Sequence, residues 1–599
     1  MLAGGGWACV WAQVPGASVV AAAGGGAWVA EAMPPLAPAM TRFFPLAEVK
    51  RGLRGVAYTV FEGVNPEPME VEILGVLKDA LGPGQDMILA RLHGIKPEYT
   101  GVVAGMSGSP VYVDGRLVGA LSYRIGQFSK EPIAGITPIE YMLQVRDEDR
   151  GGATEPEMKQ TAAEGLSQSQ APMQAMETPL MFGGFSQETV ARFGDRFRAM
   201  GLTPVAGLGG ADAKAAQPEP LVPGSAVSAV LVRGDLSLSG TCTVTYVDPK
   251  RLLACGHPIT QFGPVDMPMT KATVLASLAS PLNAFKIINT TETVGAFTED
   301  RASAILGQFG VAARMIPVVV DVVPPAVEGK AAGVKTFHFE VLNNRQLTPP
   351  AMLVSVYQTL QGNNTSSAEM SYRLSGEIGV KGLPPVKMDG LMVQSEFFPA
   401  TINAAMFLND RFSKVYGNAL EQPVVTGLRL RMEAIAERRT AVLESARLSR
   451  IEARAGDTVE VVATLHPYQA EERQVRVTVK LPAELSAGPM RVLVSDGTTV
   501  DRLTARPGGD HAVGLATTVA ELNRMHANDR VYVTLLSHEA EAVLDGGALP
   551  GVPLSMANVL EPLKNAQKMQ LTGESVVEAG SGETGYAVSG SQVLNLLVK

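Results

Sequence analysis

The stretch GMSGSPVYVDGRLVGAL, from Gly105 to Leu121, contains a serine between two glycines, followed by two strand-like runs. Each run is rich in apolar residues that suit a strand, and Asp114-Gly115 between them is typical of the tight turn of a β-hairpin. The glycines beside Ser107 allow backbone conformations that other residues avoid. The stretch therefore predicts a β-hairpin that begins with a serine loop.

The composition indicates a mainly β protein of several domains. At 599 residues the chain is too long for one hydrophobic core, and roughly three to five units are expected. Hydrophobic residues make up 46% and charged residues 18%, with 62 glycines and 40 prolines, which favours many short strands and turns over long charged helices. Runs of this kind around the serine loop suit a small antiparallel barrel.

The charge pattern argues against nucleic acid as a partner. The net charge is −9, and no stripe of Lys and Arg is long enough to contact a phosphate backbone. No motif calls for a cofactor, and we predict none. The oligomeric state is left open.

The first 30 residues carry no charge and are rich in Ala, Gly and Val. An apolar, small-residue leader is typical of a secretory signal peptide, although the usual basic start is missing. A misassigned start codon and a membrane-associated or disordered leader are the other interpretations. We expect export, to the periplasm, the cell envelope or the medium.

A serine nucleophile needs a base and a site that stabilises the developing oxyanion. The backbone N–H groups of Gly105 and Ser107 are the candidate oxyanion donors. Among seven histidines, His257 stands out because it ends an apolar strand between glycine and proline, in the sequence ACGHPI. The alternative interpretation is an exposed turn serine and a strand-end histidine bonded to backbone.

Two of the three cysteines, Cys242 and Cys255, flank a predicted hairpin that opens its turn at Asp248-Pro249. A disulfide and a packed thiol pair are both compatible with this spacing. Zinc ligation together with His257 is a third alternative, but we predict no metal site.

The segments GMSGSPVYVDGRLVGAL and GTCTVTYVDPKRLLACGHPI resemble the nucleophile and histidine segments of the SpoIVB-type serine peptidases. That family belongs to the trypsin-like clan, whose members have two β-barrels. The resemblance covers roughly residues 43–145 and 220–310. It implies Ser107 as nucleophile, His257 as general base, and the N–H groups of Gly105 and Ser107 as oxyanion donors.

The chain departs from the family pattern in two respects. The family has an Asp seven residues before the Thr of the Thr100-Gly101 pair, and this position holds His93. The family's histidine precedes its serine, whereas here the order is reversed. A circular permutation that still brings the two residues together and two half-domains that no longer meet are both compatible with this order. Asp266 is ranked ahead of Asp86 and Asp248 as the residue that could orient His257, with His93 as the other candidate.

We therefore predict a mainly β fold with two trypsin-like β-barrel-type domains, an immunoglobulin-like β-sandwich and a small C-terminal α+β region. The predicted segments are 1–40 (leader), 41–146 (serine-bearing barrel), 147–177 (linker), 178–390 (histidine-bearing domain), 391–423 (helical connection), 424–503 (sandwich) and 504–599 (α+β region).

The predicted function is that of an exported serine endopeptidase acting on a protein or peptide substrate. The uncharged segment Gly101–Ala104, if it lines the primary pocket, favours a small or apolar substrate side chain. The alternative is a catalytically inactive scaffold or binding module of the cell envelope, with an envelope protein as partner.

Overall fold

A computed structural model describes most of the chain beyond residue 40. The described residues are 41–126, 131–146, 173–207, 215–260, 263–280, 284–325, 333–362, 369–505, 514–537, 540–544, 547–553, 555–556, 558–559, 569–572 and 574–599. The predicted leader and most of the predicted linker lie outside these ranges. The chain is mainly β, with 52% strand and 17% helix, which confirms the predicted class.

The first unit is a closed six-stranded antiparallel barrel. Its strands pair in the order β4-β1-β2-β3-β6-β5, and β5 returns to β4. The elements are a 3-10 turn (Leu46–Glu48), β1 (Arg54–Thr59), β2 (Glu67–Gly82), β3 (Gln85–His93), α1 (Ile95–Thr100), β4 (Pro110–Val113), β5 (Arg116–Ile125), β6 (Ile133–Pro138) and α2 (Ile139–Met142).

The predicted hairpin is confirmed as β4 and β5. Asp114 and Gly115 both have positive φ, 49° and 69°, as a two-residue turn of this hand requires. Val111 and Val113 point into the barrel core with less than 3% exposure, so the alternating pattern directs one face inward. The serine loop lies between α1 and β4.

The second unit carries His257 and is built on a 13-stranded sheet. Six of its strands form a ring of antiparallel pairs, β10-β13-β14-β15-β12-β11, in which β11 pairs again with β10. The elements up to this point are β7 (Met173–Ala175), β8 (Thr178–Gly183), α3 (Gln187–Arg198), β9 (Leu202–Ala206), β10 (Ala226–Gly234), β11 (Ser237–Val247), β12 (Arg251–Ala254), β13 (Gly263–Leu278), β14 (Phe285–Arg301) and β15 (Ala304–Phe309). Strand β7 pairs with β5 of the first barrel.

The sheet continues beyond the ring through β17, β16, β20, β18 and β19. The elements are β16 (Met315–Val323), β17 (Lys335–Leu342), α4 (Thr348–Gln361), β18 (Ser371–Val380), β19 (Val386–Met392), α5 (Ala400–Tyr416) and β20 (Val425–Ile435). Strand β20 was expected in the sandwich that starts at 424, but it pairs with β16 and β18. Its alternating Leu428, Leu430 and Met432 are buried in the core of the second unit, which fixes it there.

The C-terminal part is a sandwich of a four-stranded and a five-stranded sheet around one apolar core. Its sheets are β24-β23-β21-β31 and β22-β32-β25-β26-β30, so strands from both 424–503 and 504–599 build it. The elements are β21 (Thr440–Leu448), β22 (Glu452–Ala453), β23 (Thr458–Pro467), β24 (Arg473–Lys480), β25 (Gly488–Ser495), α6 (Gly497–Thr504), α7 (Leu515–Arg524), β26 (Arg530–Ser537), β27 (Ala540–Leu544), β28 (Gly547–Val552), β29 (Met569–Thr572), β30 (Ser575–Glu583), β31 (Ala587–Ser589) and β32 (Ser591–Val598).

A separate three-stranded sheet, β28-β27-β29, completes the described chain. Within the described ranges, no helix has both the length and the apolar character needed to cross a membrane.

Candidate functional site

The serine loop is shaped by glycines. Gly101, Gly105 and Gly108 have φ of 71°, 96° and 95°, a region that a side chain would disfavour. The loop is closed by its own bonds, with the Met106 N–H donating to the Val103 carbonyl at 3.0 Å. Ser107 has no exposed surface. The loop is therefore a rigid, buried turn, and not the exposed turn of the alternative interpretation.

Strand β11 of the second unit holds the serine loop of the first. The Thr243 N–H donates to the Ser107 carbonyl at 2.7 Å, and its Oγ1 donates to the Gly105 carbonyl at 2.9 Å. The Thr245 Oγ1 donates to the Gly108 carbonyl at 2.7 Å. These threonines belong to the Gly-Thr-x-Thr strand of the histidine segment, so the two motifs are bonded directly to each other.

The turn that carries His257, residues 255–260 and called the histidine turn below, is hydrogen-bonded to strand β11 and to the first barrel. The Cys255 N–H donates to the Thr243 carbonyl at 3.2 Å, and Cys255 forms a disulfide with Cys242, with a Cα–Cα distance of 5.2 Å. The Thr137 Oγ1 of the first barrel donates to the Gly256 carbonyl at 2.6 Å. Cys255 itself has φ of 67°, an uncommon conformation for a residue with a side chain.

The His257 ring is buried and neutral at physiological pH. It is 2% exposed, and burial lowers its pKa to about 4 because the charged form loses its hydration. Its Nδ1 lies 2.7 Å from the Pro258 carbonyl oxygen, which only accepts hydrogen bonds. Nδ1 therefore carries the proton, and Nε2 presents a lone pair.

The reacting atoms expected at the site have no hydrogen-bond partner among the described residues. This is true of the buried Ser107 Oγ and of the buried His257 Nε2, so the two are not hydrogen-bonded to each other in this structure. Within the described chain, the N–H groups of Gly105 and Ser107 also donate to no acceptor. Four polar groups near the meeting point of the two motifs thus remain available, which is uncommon for buried groups.

Among the described residues, neither expected orienting residue is hydrogen-bonded to His257. Asp266 accepts from the Arg314 side chain at 3.0 Å, and the His93 Nε2 lies 3.2 Å from a Glu72 carboxylate oxygen. The Pro258 carbonyl takes the place of an acid at Nδ1. The reason is local, since the turn after His257 folds its own backbone under the ring.

Asp300 on β14 is a site residue that sequence reasoning missed. It is 1% exposed, and its carboxylate accepts from the Ile259 N–H at 2.9 Å and from the Thr260 N–H at 2.7 Å. These amides follow His257 by two and three residues, so Asp300 fixes the turn that carries the ring. The only signal was an acidic pair, Glu299-Asp300, at the end of a strand that also carries Lys286 and Glu292.

Lys286, also on β14, was missed as well. It has no exposed surface, and its Nζ donates to the Thr59 Oγ1 at 2.7 Å, the one hydrogen-bond partner of that amine among the described residues. Burial lowers the pKa of its amine to about 7. A Cβ added at Gly105 would lie 3.3 Å from the Lys286 Cδ, so the lysine stem packs against the serine loop.

One group of side chains elsewhere has the proximity that metal binding needs. Ligand atoms of Glu444, His466 and Glu472, all exposed on the sandwich, lie within 4.8 Å of one another. Exposed acidic groups often approach each other in this way without a metal. Nothing else at this place points to an ion, so we assign no metal site to it.

No protein-family model, no curated protein and no solved structure matches the chain. The resemblance to the SpoIVB-type peptidases therefore rests on the two motifs and their surroundings.

Proposed function

We propose that the chain is an exported serine endopeptidase of SpoIVB type, with Ser107 as nucleophile and His257 as general base. One observation carries the proposal: the serine loop and the histidine turn, far apart in sequence, are both bonded to Thr243. A structural turn alone does not explain why these two motifs are joined while the buried Ser107 Oγ and His257 Nε2 have no hydrogen-bond partner among the described residues.

The proposed reaction is acyl transfer. Ser107 Oγ forms a bond to the substrate carbonyl carbon while its proton passes to His257 Nε2, and the carbonyl electron pair moves onto oxygen. The N–H groups of Gly105 and Ser107 stabilise that oxyanion. The protonated His257 then gives its proton to the leaving amine as the C–N bond breaks, and water hydrolyses the acyl-enzyme by the same route.

The Pro258 carbonyl supplies the orientation that an acid supplies in a full triad. It fixes the tautomer with Nε2 unprotonated, which the base requires. A carbonyl dipole stabilises the protonated ring less than a carboxylate does, so we expect a slower enzyme than one with an acidic third residue.

Export is proposed from two observations. The apolar leader resembles a targeting segment, and the Cys242–Cys255 disulfide suits an oxidising compartment. A protein or peptide substrate follows from the proposed reaction, and the sandwich is the proposed surface for an envelope partner.

The test is labelling of the purified protein with a fluorophosphonate, followed by peptide mapping. We expect modification of Ser107 that disappears in Ser107→Ala and falls at least about a hundredfold in His257→Ala. Circular dichroism and thermal unfolding of each variant provide the folding control. Labelling of Ser107 that does not depend on His257 would contradict the proposed base.

The second candidate function is the inactive scaffold. It is favoured by the complete burial of Ser107 and by the absence of a Ser107–His257 hydrogen bond in the described structure. Absence of labelling in every folded form of the protein, including variants that open the site, would support it.

A further inference from the structure

The short strand β7 lies directly beside the serine loop. On β5, Leu121 bonds to the loop, with the Gly108 N–H donating to the Leu121 carbonyl at 2.7 Å. The next residue, Ser122, accepts from the Met176 N–H at 2.8 Å, and Tyr123 pairs with Ala175. Since β6 occupies the opposite edge of β5, residues 173–176 pair with β5 directly after Leu121, the residue to which the serine loop is bonded.

The side chain of Met176 is buried in the apolar cluster to which the serine loop contributes. Met176 is 3% exposed and belongs to the same buried cluster as Val102, Val103 and Met106. A narrow crevice beside it is lined by Val102, Ala104, Arg124, Met176 and Glu177. Met176, a long and unbranched apolar residue, thus lines the same crevice as two residues of the uncharged segment that precedes Ser107.

This arrangement has the two features of peptide binding by strand addition. Main-chain hydrogen bonds to a sheet edge hold an extended segment, and a pocket takes one of its side chains. The segment is not required to close the barrel, because β4 and β5 already pair with each other. Ser107, which a substrate would have to reach, has no exposed surface while the segment is in place.

We infer that residues 173–176 are an internal peptide that occupies the substrate-binding edge of β5 and blocks the Ser107 site. The inference rests on the proposed function and adds to it a regulation and a substrate class. The site is closed until the internal peptide leaves. Its substrate is then an extended peptide with an apolar side chain of about the size of methionine next to the Ser107 loop.

The contact is small enough to be released. Strand β7 has three residues, and Ala175 within it is exposed. The next strand, β8, starts at Thr178 and is fixed in the large sheet by its pairing with β11. Within the described chain, a hinge before Thr178 would release residues 173–176 and leave both the barrel and the ring of strands intact.

The first measurement is fluorophosphonate labelling of Met176→Asp in the full chain. A carboxylate at the buried position of the Met176 side chain, beside the apolar Val102 and the acidic Glu177, disfavours the docked peptide, and we expect labelling of Ser107 to rise at least about tenfold. Met176→Ala, which removes packing without adding charge, should raise it less and guards against misfolding of the first variant. Met525→Asp, the same change at an exposed methionine, is the matched control and should leave labelling unchanged.

The second measurement does not depend on catalysis. A fluorescent peptide of the sequence PMQAMET is added to proteins that also carry Ser107→Ala. We expect it to bind the Met176→Asp chain at least about tenfold more tightly than the chain with Met176, and to lose that binding when its own second methionine is replaced by Asp.

The two measurements separate the failure of the inference from that of the proposed function. Peptide binding without labelling of Ser107 in any folded variant would support the inference of an internal peptide and would contradict the proposed peptidase activity. Equal labelling of the unchanged chain and the Met176→Asp variant, together with no difference in peptide binding, would overturn the internal peptide.

Discussion

The carbonyl oxygen of Thr243 lies 1.9 Å from the position that a Cβ on Gly108 would occupy. The Cys255 nitrogen lies 2.6 Å from the same position. Both contacts are with backbone, which cannot move aside as a flexible side chain can. The serine loop, strand β11 and the histidine turn therefore meet at one point where only a glycine fits.

Gly108→Ala should disrupt the packing of the serine loop, in the first unit, against strand β11 and the histidine turn of the second unit. Gly115, in the β4–β5 turn, also has positive φ, but a Cβ there meets nothing within 4 Å, so Gly115→Ala is the matched control. We expect Gly115→Ala to cost about 1 kcal/mol of unfolding free energy through backbone strain alone, and Gly108→Ala to cost several kcal/mol more. Urea unfolding measures both, and equal costs would contradict the close approach.

Asp300→Asn should lower the reactivity of Ser107, because an amide cannot accept from both the Ile259 and the Thr260 N–H groups as the carboxylate does. We expect fluorophosphonate labelling to slow about tenfold. The matched control is Asp266→Asn. The Asp266 carboxylate is bonded to Arg314, so this variant should be labelled at the same rate as the unchanged chain. A larger loss in Asp266→Asn would restore Asp266 as the orienting residue.

Lys286→Met should stabilise the protein in a pH-dependent way. The folded pKa of about 7 lies below the ordinary value of 10.5, so the unfolded state binds more protons between these values. The free energy of unfolding then rises with pH across this window. Below pH 7 the charged, buried amine lowers that free energy by the full amount of about 5 kcal/mol. The methionine variant removes this cost and should flatten the rise.

Thermal unfolding at pH 6 and pH 9.5 measures this difference between the two proteins. Lys286→Arg is the control, since a guanidinium stays charged and should destabilise at both pH values. If the methionine variant is less stable at pH 6 and still labels at Ser107, the buried amine would instead be a structural requirement.

Replacing both Cys242 and Cys255 by serine should lower the stability of the second unit. The two cysteines are 13 residues apart in sequence. A disulfide that closes a loop of this size stabilises the folded protein by about 3 kcal/mol, because it restricts the unfolded chain. Labelling of Ser107 should fall too, because Cys255 bonds to Thr243 next to the histidine turn. Cys9→Ser, which removes the third cysteine, should change neither measurement.

The sequence predicted those parts of the fold that short-range patterns determine. The alternating runs around Asp114-Gly115 predicted the β4–β5 hairpin, and the count and spacing of strand-like runs predicted the mainly β class. The cysteine pair had three interpretations, and only the structure selects the disulfide. The assignment of roles to Ser107 and His257 stays a prediction.

The remaining features depend on contacts between distant segments. Strand β20 alternates as a sandwich strand does, and its place between β16 and β18 is set by partners about 110 and about 55 residues earlier. Asp300 and Lys286 lie on β14, and their partners are in the histidine turn and in β1. A single sequence does not show which distant segments pair or in which register, so the contacts of β20, Asp300 and Lys286 could not be predicted.

The parallel pairing of β20 with β16 has a practical meaning for shortened versions of the protein. A fragment ended at the predicted boundary of 423 would lack β20 and leave two long strands, β16 and β18, with open edges that invite association between copies. A fragment ended after Ile435 retains both pairings. Expression of the second unit without the sandwich should therefore extend at least to that residue.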